Sequence, residues 1–367
     1  MLSHAAAVSS DLLPAHLALA HAGAPRPTAL FGPEHGFHGV EQDMVAAADA
    51  TEPWTGVPVH SLYGADEESL RPAPAAFEGL DLLVIDLQDV GTRFYTYAAT
   101  AVWAAEAALA AGCEVWVLDR PNPLGGAKVE GNLRRPGFES FVGAFELPVR
   151  HGLTLGELVR LEAQRGGWEE VPEVVPVMGW GRREGWADLG RPWVPPSPNL
   201  PSPEAAWLYP GLCLVEGTSL SEGRGTTLPF QLVGAPGVDP LKIAGALRHP
   251  GVVASPAYFK PQYQKHAGAT CGGVRLHVVA PPAMRPVLLG VQLLAAFARH
   301  APDAFAWRRE AYEFVTDRPA IDLLAGTEEL RSAIDAGDSD ALESWIGSWG
   351  GDEERFLAER APALLYD

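Results

Sequence analysis

Three stretches of this 367-residue chain gather side chains that can move protons or hold a polar ligand, each punctuated by glycine or proline. Residues 32–37 (GPEHGF) offer Glu34 and His35. Residues 87–97 (LQDVGTRFYTY) offer Gln88, Asp89, Arg93, Tyr95 and Tyr97. Residues 119–126 (DRPNPLGG) offer Asp119, Arg120 and Asn122. Carboxylates beside arginines, amides and aromatic rings fit a carbohydrate or another polar small molecule. Each also has an ordinary alternative. Asp86 and Asp119 are residue types that cap helices and turns, Tyr95 and Tyr97 could be core, and Arg93 could sit in a structural ion pair.

Glu106 is the only ionisable group in 98–111 (AATAVWAAEAALAA). A helix apolar all round is buried, and burial raises a carboxyl toward the range a general acid needs. The other possibility is a solvent-facing stripe among alanines chosen for helix propensity. A second glycine-rich constellation follows at 209–226, with Glu216, Glu222 and Arg224 expected to face the first group across a cleft. His151, before Gly152, is a turn histidine or a site residue. No loop reads GxGxxG or GxxxxGK[ST], so no nucleotide cofactor is expected. HExxH, CxxC and GxSxG patterns are absent, which speaks against a metal centre and a hydrolase serine triad.

The elements that would position these residues are legible. Apolar runs at 28–31 (TALF), 81–86 (DLLVID) and 114–119 (EVWVLD) read as parallel strands covered on both faces. Helical stretches at 10–22 and 97–112 alternate with them, and Gly112 stands where a C-terminal glycine belongs. Alternation of strand and helix implies βαβ crossovers and a doubly wound sheet. In such sheets ligands bind beyond the carboxyl ends of the strands. That rim would hold Glu34, His35, Asp86, Gln88, Asp89, Arg93, Asp119, Arg120 and Asn122. Downstream, 141–147 reads as a short strand, 154–164 as a helix opened by a Thr154/Glu157 capping box, and 171–178 as a strand. The run 193–203 (WVPPSPNLPSP) has five prolines and can be neither helix nor central strand. It sets the expected boundary between a catalytic domain, 1–203, and a smaller α+β domain, 204–367, with helices at 286–299 and 327–336 and a strand at 274–279.

Composition narrows the class. Lys+Arg 27 against Asp+Glu 46 gives a net charge of −19, which argues against binding a nucleic-acid backbone. Hydrophobic residues at 47% and charged residues at 20% describe a globular chain with a sizeable core. Cys113, Cys213 and Cys271 are too few and too far apart for a disulfide framework and read as core residues. No apolar run reaches the ~20 residues of a membrane span. Oligomeric state has no signature here.

In order along the chain, GPEHGF, LQDVGTRFYTY, LDRPNPLGG, VEGN, RHGLTLGEL, PPSPNLP and YPGLCLVEGTSLSEGRGTTLPF resemble the NamZ family of exo-β-N-acetylmuramidases, formerly a family of unknown function. The resemblance implies a Rossmann-like N-terminal domain, a smaller C-terminal domain and an active site in the cleft between them. It implies release of N-acetylmuramic acid from non-reducing ends of peptidoglycan fragments, with no cofactor. Glu34 matches the glutamate of the family's PEHG motif and is expected to be the general acid. Glu106 resembles the family's helix glutamate and ranks as second carboxyl above Asp89, Glu130 and Glu216. The muramyl lactyl carboxylate calls for an arginine fork, from Arg93, Arg120 or Arg224. Tyr95, Tyr97 and Asn122 would hold the ring or the N-acetyl group. His35, Gln88, Asp119, His151, Asn199 and Glu222 complete the substrate-binding set. Family members carry more chain, and usually an export signal, before the segment matching residues 2–9. Met1 falls where their first strand would be ending, so a truncated first strand or a misassigned start is expected. Without a basic leader the simplest placement is the cytoplasm, in wall recycling. The alternative function is a non-catalytic muropeptide sensor on the same scaffold; an esterase or amidase lacks an evident nucleophile.

Overall fold

A computed structural model describes residues 1–42 and 44–367. In chain order the regular elements are β1 (Leu2–Ser3), α1 (Ala15–His21), β2 (Leu30–Gly32), β3 (Ala50–Thr51), β4 (Pro58–Ser61), β5 (Leu82–Asp86), α2 (Tyr97–Ala110), β6 (Glu114–Leu118), β7 (Glu130–Leu133), β8 (Pro148–Arg150), α3 (Leu155–Gly166) and β9 (Glu173–Val175). They continue with α4 (Pro203–Leu212), β10 (Leu232–Ala235), α5 (Pro240–Ala246), β11 (Val252–Phe259), β12 (Cys271–Val278), α6 (Pro286–His300), α7 (Ala320–Ala325), α8 (Glu329–Ala336) and α9 (Ser339–Arg360).

The chain forms two compact units, and neither is one continuous length. The first comprises Met1–Lys128, Gly152–Pro198 and Glu359–Asp367; the second comprises Val129–His151 and Asn199–Ala358. The first unit is built on a seven-stranded sheet in the order β3-β4-β2-β1-β5-β6-β9. Every pairing is parallel except that of β3 with β4. The α/β reading is therefore correct, and the carboxyl ends of β2, β1, β5 and β6 share one rim. The short β1 is central, pairing with β2 through Leu2 and Phe31 and with β5 through Leu2 and Ile85. The sheet is not covered on both faces everywhere: in β6, Val115 and Val117 are buried while Glu114 and Trp116 are exposed.

α2 is buried from Tyr97 to Ala105 and again at Ala107 and Ala108, because its alanines let it lie close to its neighbours. Gly112 follows it at φ +77°, as a C-terminal glycine should. α3 opens with the expected capping box: Thr154 Oγ1 accepts from Glu157 N–H at 3.2 Å and Glu157 Oε2 accepts from Thr154 N–H at 3.0 Å. The strand expected over 141–147 does not form. Phe141–Gly143 is a single 3-10 turn closed by Gly143 N–H to Ser140 O, and the strand begins only at Pro148.

The second unit has a three-stranded antiparallel sheet, β10-β12-β11, and the separate antiparallel pair β7-β8, with helices around them. Pro203 and Pro286 occupy the first turns of α4 and α6, where no backbone N–H is required. Gly211 and Gly290 face each other where these two helices pack; a Cβ on either would strike the other backbone.

Candidate active site

β2 ends at Gly32, and Pro33 starts a tight turn closed by Gly36 N–H to Pro33 O at 2.9 Å. Within it His35 takes φ +69°, a left-handed conformation unfavourable for a side chain with a Cβ. Its Nδ1 donates to Glu41 O at 3.0 Å and so ties the turn to the chain beyond it. The turn presents Glu34, which is 5% exposed. Thr96 Oγ1 donates to Glu34 Oε2 at 2.7 Å, while Oε1 has no hydrogen-bond partner among the described residues. A carboxyl gripped at one oxygen and open at the other is what proton transfer to a ligand requires.

The loop after β5 supplies the neighbours. Asp89 Oδ2 accepts from Gly91 N–H at 2.6 Å, and Gln88 Nε2 donates to Asp89 O at 2.8 Å and Pro121 O at 2.9 Å. Gly91 is required twice over: its φ is +73°, and a Cβ there would run into the amide of Asn122. Burial pushes the Asp89 carboxyl up to about 7, outweighing the backbone N–H groups of Gly91 and Val90 that favour its charge. The Tyr95 and Tyr97 rings are 4.7 Å apart. Burial, their mutual influence and the Asp89 and Glu34 carboxyls hold the Tyr95 hydroxyl well above its ordinary range. Tyr97 donates to Pro196 O at 2.9 Å and its oxygen lies 3.3 Å from Glu34 O. Arg93 is buried in the same loop.

The candidates after β6 are occupied by structure. Arg120 Nη2 reaches Asp86 Oδ2 at 3.0 Å, Nε reaches Oδ1, and Nη1 and Nη2 both donate to Val8 O at 3.2 Å. Asn122 donates to Leu153 O and accepts from Leu124 N–H, both at 2.9 Å. Asp119 accepts from Gly156 N–H at 2.8 Å in the first turn of α3 and from the Tyr366 hydroxyl at 2.6 Å; burial pushes it up to about 6. Glu106 takes the solvent-facing one of its two alternatives. It is exposed, facing away from the packed sides of α2, so the burial that made it a candidate acid does not exist.

The remaining candidates lie in the second unit. Glu130 Oε1 accepts from Leu288 N–H at 2.9 Å at the start of α6, and burial pushes its carboxyl up to about 7 despite Arg150 and Arg285 nearby. Glu216 and Glu222 enclose Arg224, whose Nη1 is 2.7 Å from Glu216 Oε1 and 3.4 Å from Glu222 Oε1. Tyr312 donates to Glu216 Oε2 at 2.7 Å, and Lys265 Nζ is 3.1 Å from Glu222 Oε2. Asn199 Oδ1 lies 3.5 Å from the Tyr263 hydroxyl, and His151 is fully buried. Among the described residues no group of three His, Cys, Asp or Glu side chains is arranged to hold a metal.

Residues 1–204 match the profile described as exo-beta-N-acetylmuramidase NamZ, N-terminal, and residues 207–366 match its C-terminal counterpart. The chain belongs to the NamZ family. It is 39% identical over 342 residues to the peptidoglycan beta-N-acetylmuramidase NamZ of Bacillus subtilis (strain 168), covering 92% of this chain and 80% of that protein. Two crystal structures of DUF1343 family proteins from Bacteroides fragilis NCTC 9343 superpose on it with TM-scores of 0.85 and 0.74. Each is 31% identical, with all of this chain and 93% of the other covered. The resemblance carried by the motifs is thus borne out, and the chain is a glycoside hydrolase. No helix among the described residues is long and apolar enough to cross a membrane.

Three contributors escaped the sequence reading. Thr96 lies inside LQDVGTRFYTY, but at the first residue before α2 it reads as a helix cap. Lys265 and Tyr312 complete the Glu216 and Glu222 network from distant segments, and neither is in a motif-like context.

Proposed function

We propose that the chain is an exo-acting hydrolase releasing N-acetylmuramic acid from the non-reducing ends of peptidoglycan fragments, with Glu34 as the catalytic acid. The observation that carries this reading is the unequal treatment of the two Glu34 oxygens. With Oε2 accepting from Thr96, a neutral carboxyl bears its proton on Oε1, the oxygen with no partner. That proton would pass to the glycosidic oxygen as the bond to the departing sugar breaks. Asp89 replaces Glu106 as the second carboxyl, since Glu106 is exposed and Asp89 is buried in the loop that also carries Tyr95 and Tyr97. Ionised, Asp89 would offset the positive charge that develops at the sugar ring, and water would add at the anomeric carbon with its proton returned to Glu34.

Arg93, buried in the same loop as Asp89, Tyr95 and Tyr97, is the proposed reader of the lactyl carboxylate. The substrate class follows the name of the B. subtilis relative. Three buried free thiols suit a reducing compartment, and on that basis we place the enzyme in the cytoplasm.

The test is incubation with a disaccharide bearing non-reducing N-acetylmuramic acid. The wild type is expected to release the free sugar, and Glu34→Gln to lose about 10²-fold or more in kcat while folding normally. Because Asp89 is needed ionised, kcat/KM should fall as pH drops through about 7. No release by the wild type at any pH from 5 to 9 rejects the reading (pH values set at about these limits to bracket ordinary acid–base catalysis).

A further inference from the structure

We propose that His4 is a positioning residue for this reaction, fastening the loop that carries Asp89 to the segment that steadies the Glu34 turn. The inference rests on the reading of Glu34 and Asp89 given above and adds a residue outside the candidate set drawn from the sequence.

The topology puts His4 in place. β1 lies between β2, which leads into Glu34, and β5, which leads into Asp89. His4 is the first residue beyond β1, so it emerges between the two loops, and it is buried. Its Nε2 is 2.9 Å from Gln88 N and its Nδ1 is 3.2 Å from Pro196 O. A backbone N–H can only donate and a carbonyl can only accept. The ring therefore accepts at Nε2 and donates from Nδ1, which fixes a single neutral tautomer. A proton on Nε2 would oppose the Gln88 N–H and break the tie. Burial, reinforced by the charge of Arg120, lowers the His4 pKa to about 3, so the neutral ring persists at working pH.

The second half of the link runs through Pro196 O. That carbonyl accepts both from His4 and from the Tyr97 hydroxyl, at 2.9 Å in the latter case. The His4 and Tyr97 rings meet edge to face with centroids 5.0 Å apart. The Tyr97 oxygen is in turn 3.3 Å from Glu34 O. Gln88, held by His4 at its backbone, spends its side chain on Asp89 O and Pro121 O. One imidazole thus ties the Asp89-bearing loop to Pro196, whose carbonyl holds the Tyr97 hydroxyl beside the Glu34 turn.

The experiment compares wild type, His4→Phe and His4→Gln on the muramyl disaccharide. Phenylalanine keeps the bulk and removes both hydrogen bonds; glutamine restores an acceptor near the Nε2 position. We expect His4→Phe to lose about 10-fold or more in kcat with KM changed less than about threefold, as a displaced acid and not a lost binding contact would do. His4→Gln should recover most of that loss. Wild-type turnover in His4→Phe overturns the proposal, as does a glutamine variant as slow as the phenylalanine one. If His4→Phe does not fold, His4→Gln is set against His4→Asn, whose amide is too short to reach Gln88 N. Equal kcat in those two also overturns it. An inactive wild type removes the catalytic reading and the proposal together, whereas an active wild type with an indifferent His4→Phe removes the proposal alone.

Discussion

Thr96 stands 62 residues from Glu34 in sequence, yet its hydroxyl donates to Glu34 Oε2 at 2.7 Å. It does so from the N-cap position of α2, where a threonine normally accepts a backbone N–H, and here its side chain makes no capping bond. The hydroxyl is committed to the acid and withheld from the helix. Thr96→Val, which keeps the shape and removes the donor, should therefore lower kcat about tenfold, since a hydrogen bond to a charged or reacting carboxyl is worth about 1.5 kcal/mol or more. Thr96→Ser should stay near wild type. The melting temperature should fall only by what this one buried hydrogen bond contributes, because no cap is lost. Kinetics and thermal unfolding of the two variants check this; a large loss of stability without loss of kcat would return Thr96 to an ordinary structural role.

Arg120 and Arg93 are both candidate readers of a carboxylate, and Arg120 also has a place in the scaffold. Arg120 is paired with buried Asp86 and is bound twice to Val8 O. Arg120→Met should destabilise the protein by about 3–5 kcal/mol, because it leaves a buried carboxylate without its partner. Arg93→Lys should instead raise KM about tenfold or more for a muramyl-terminated disaccharide, since lysine lacks the planar fork. The same variant should be indifferent for an analogue whose lactyl carboxylate is esterified. Denaturant titration of the first and substrate comparison with the second decide the matter.

Glu106→Gln should leave kcat, KM and melting temperature at wild-type values, because the side chain is exposed. Its selection shows how far the sequence could carry. An alanine-rich helix with one carboxyl looks the same whether that carboxyl points inward or outward. Alanines give almost no amphipathic contrast, and only packing against the sheet settles the face. The strands at β2, β5 and β6 were legible because apolar runs ending in polar turns have few other uses, and the shared rim followed from parallel pairing. The glutamate in GPEHGF and the tyrosines of LQDVGTRFYTY could be placed near that rim for the same reason. What could not be read was the division of labour among polar residues. Asp119, Arg120 and Asn122 have the composition of a site and the hydrogen bonds of a scaffold. Thr96 and His4 are the reverse: common residues whose hydrogen-bond partners lie 62 and 84 positions away.

Glu130 offers a thermodynamic check independent of turnover. Its carboxyl is buried in the second unit, accepts from Leu288 N–H at the start of α6, and is raised from 4.5 to about 7, with burial outweighing the favourable charges of Arg150 and Arg285. A group whose folded pKa exceeds its unfolded value stabilises the fold fully below the unfolded pKa, and that contribution is lost as pH rises through the folded pKa. Between pH 4.5 and about 7 the wild type should therefore lose about 3 kcal/mol from this one group. Glu130→Gln stays neutral throughout and keeps an oxygen for Leu288 N–H, so its stability should not carry that component. Urea unfolding of both proteins at pH 4 and pH 8 (chosen to lie at about the two limits of this linkage) should show the difference between them moving in favour of the variant as pH rises. Parallel stability curves would mean that Glu130 is solvated in solution and does not cap α6 as a neutral acid.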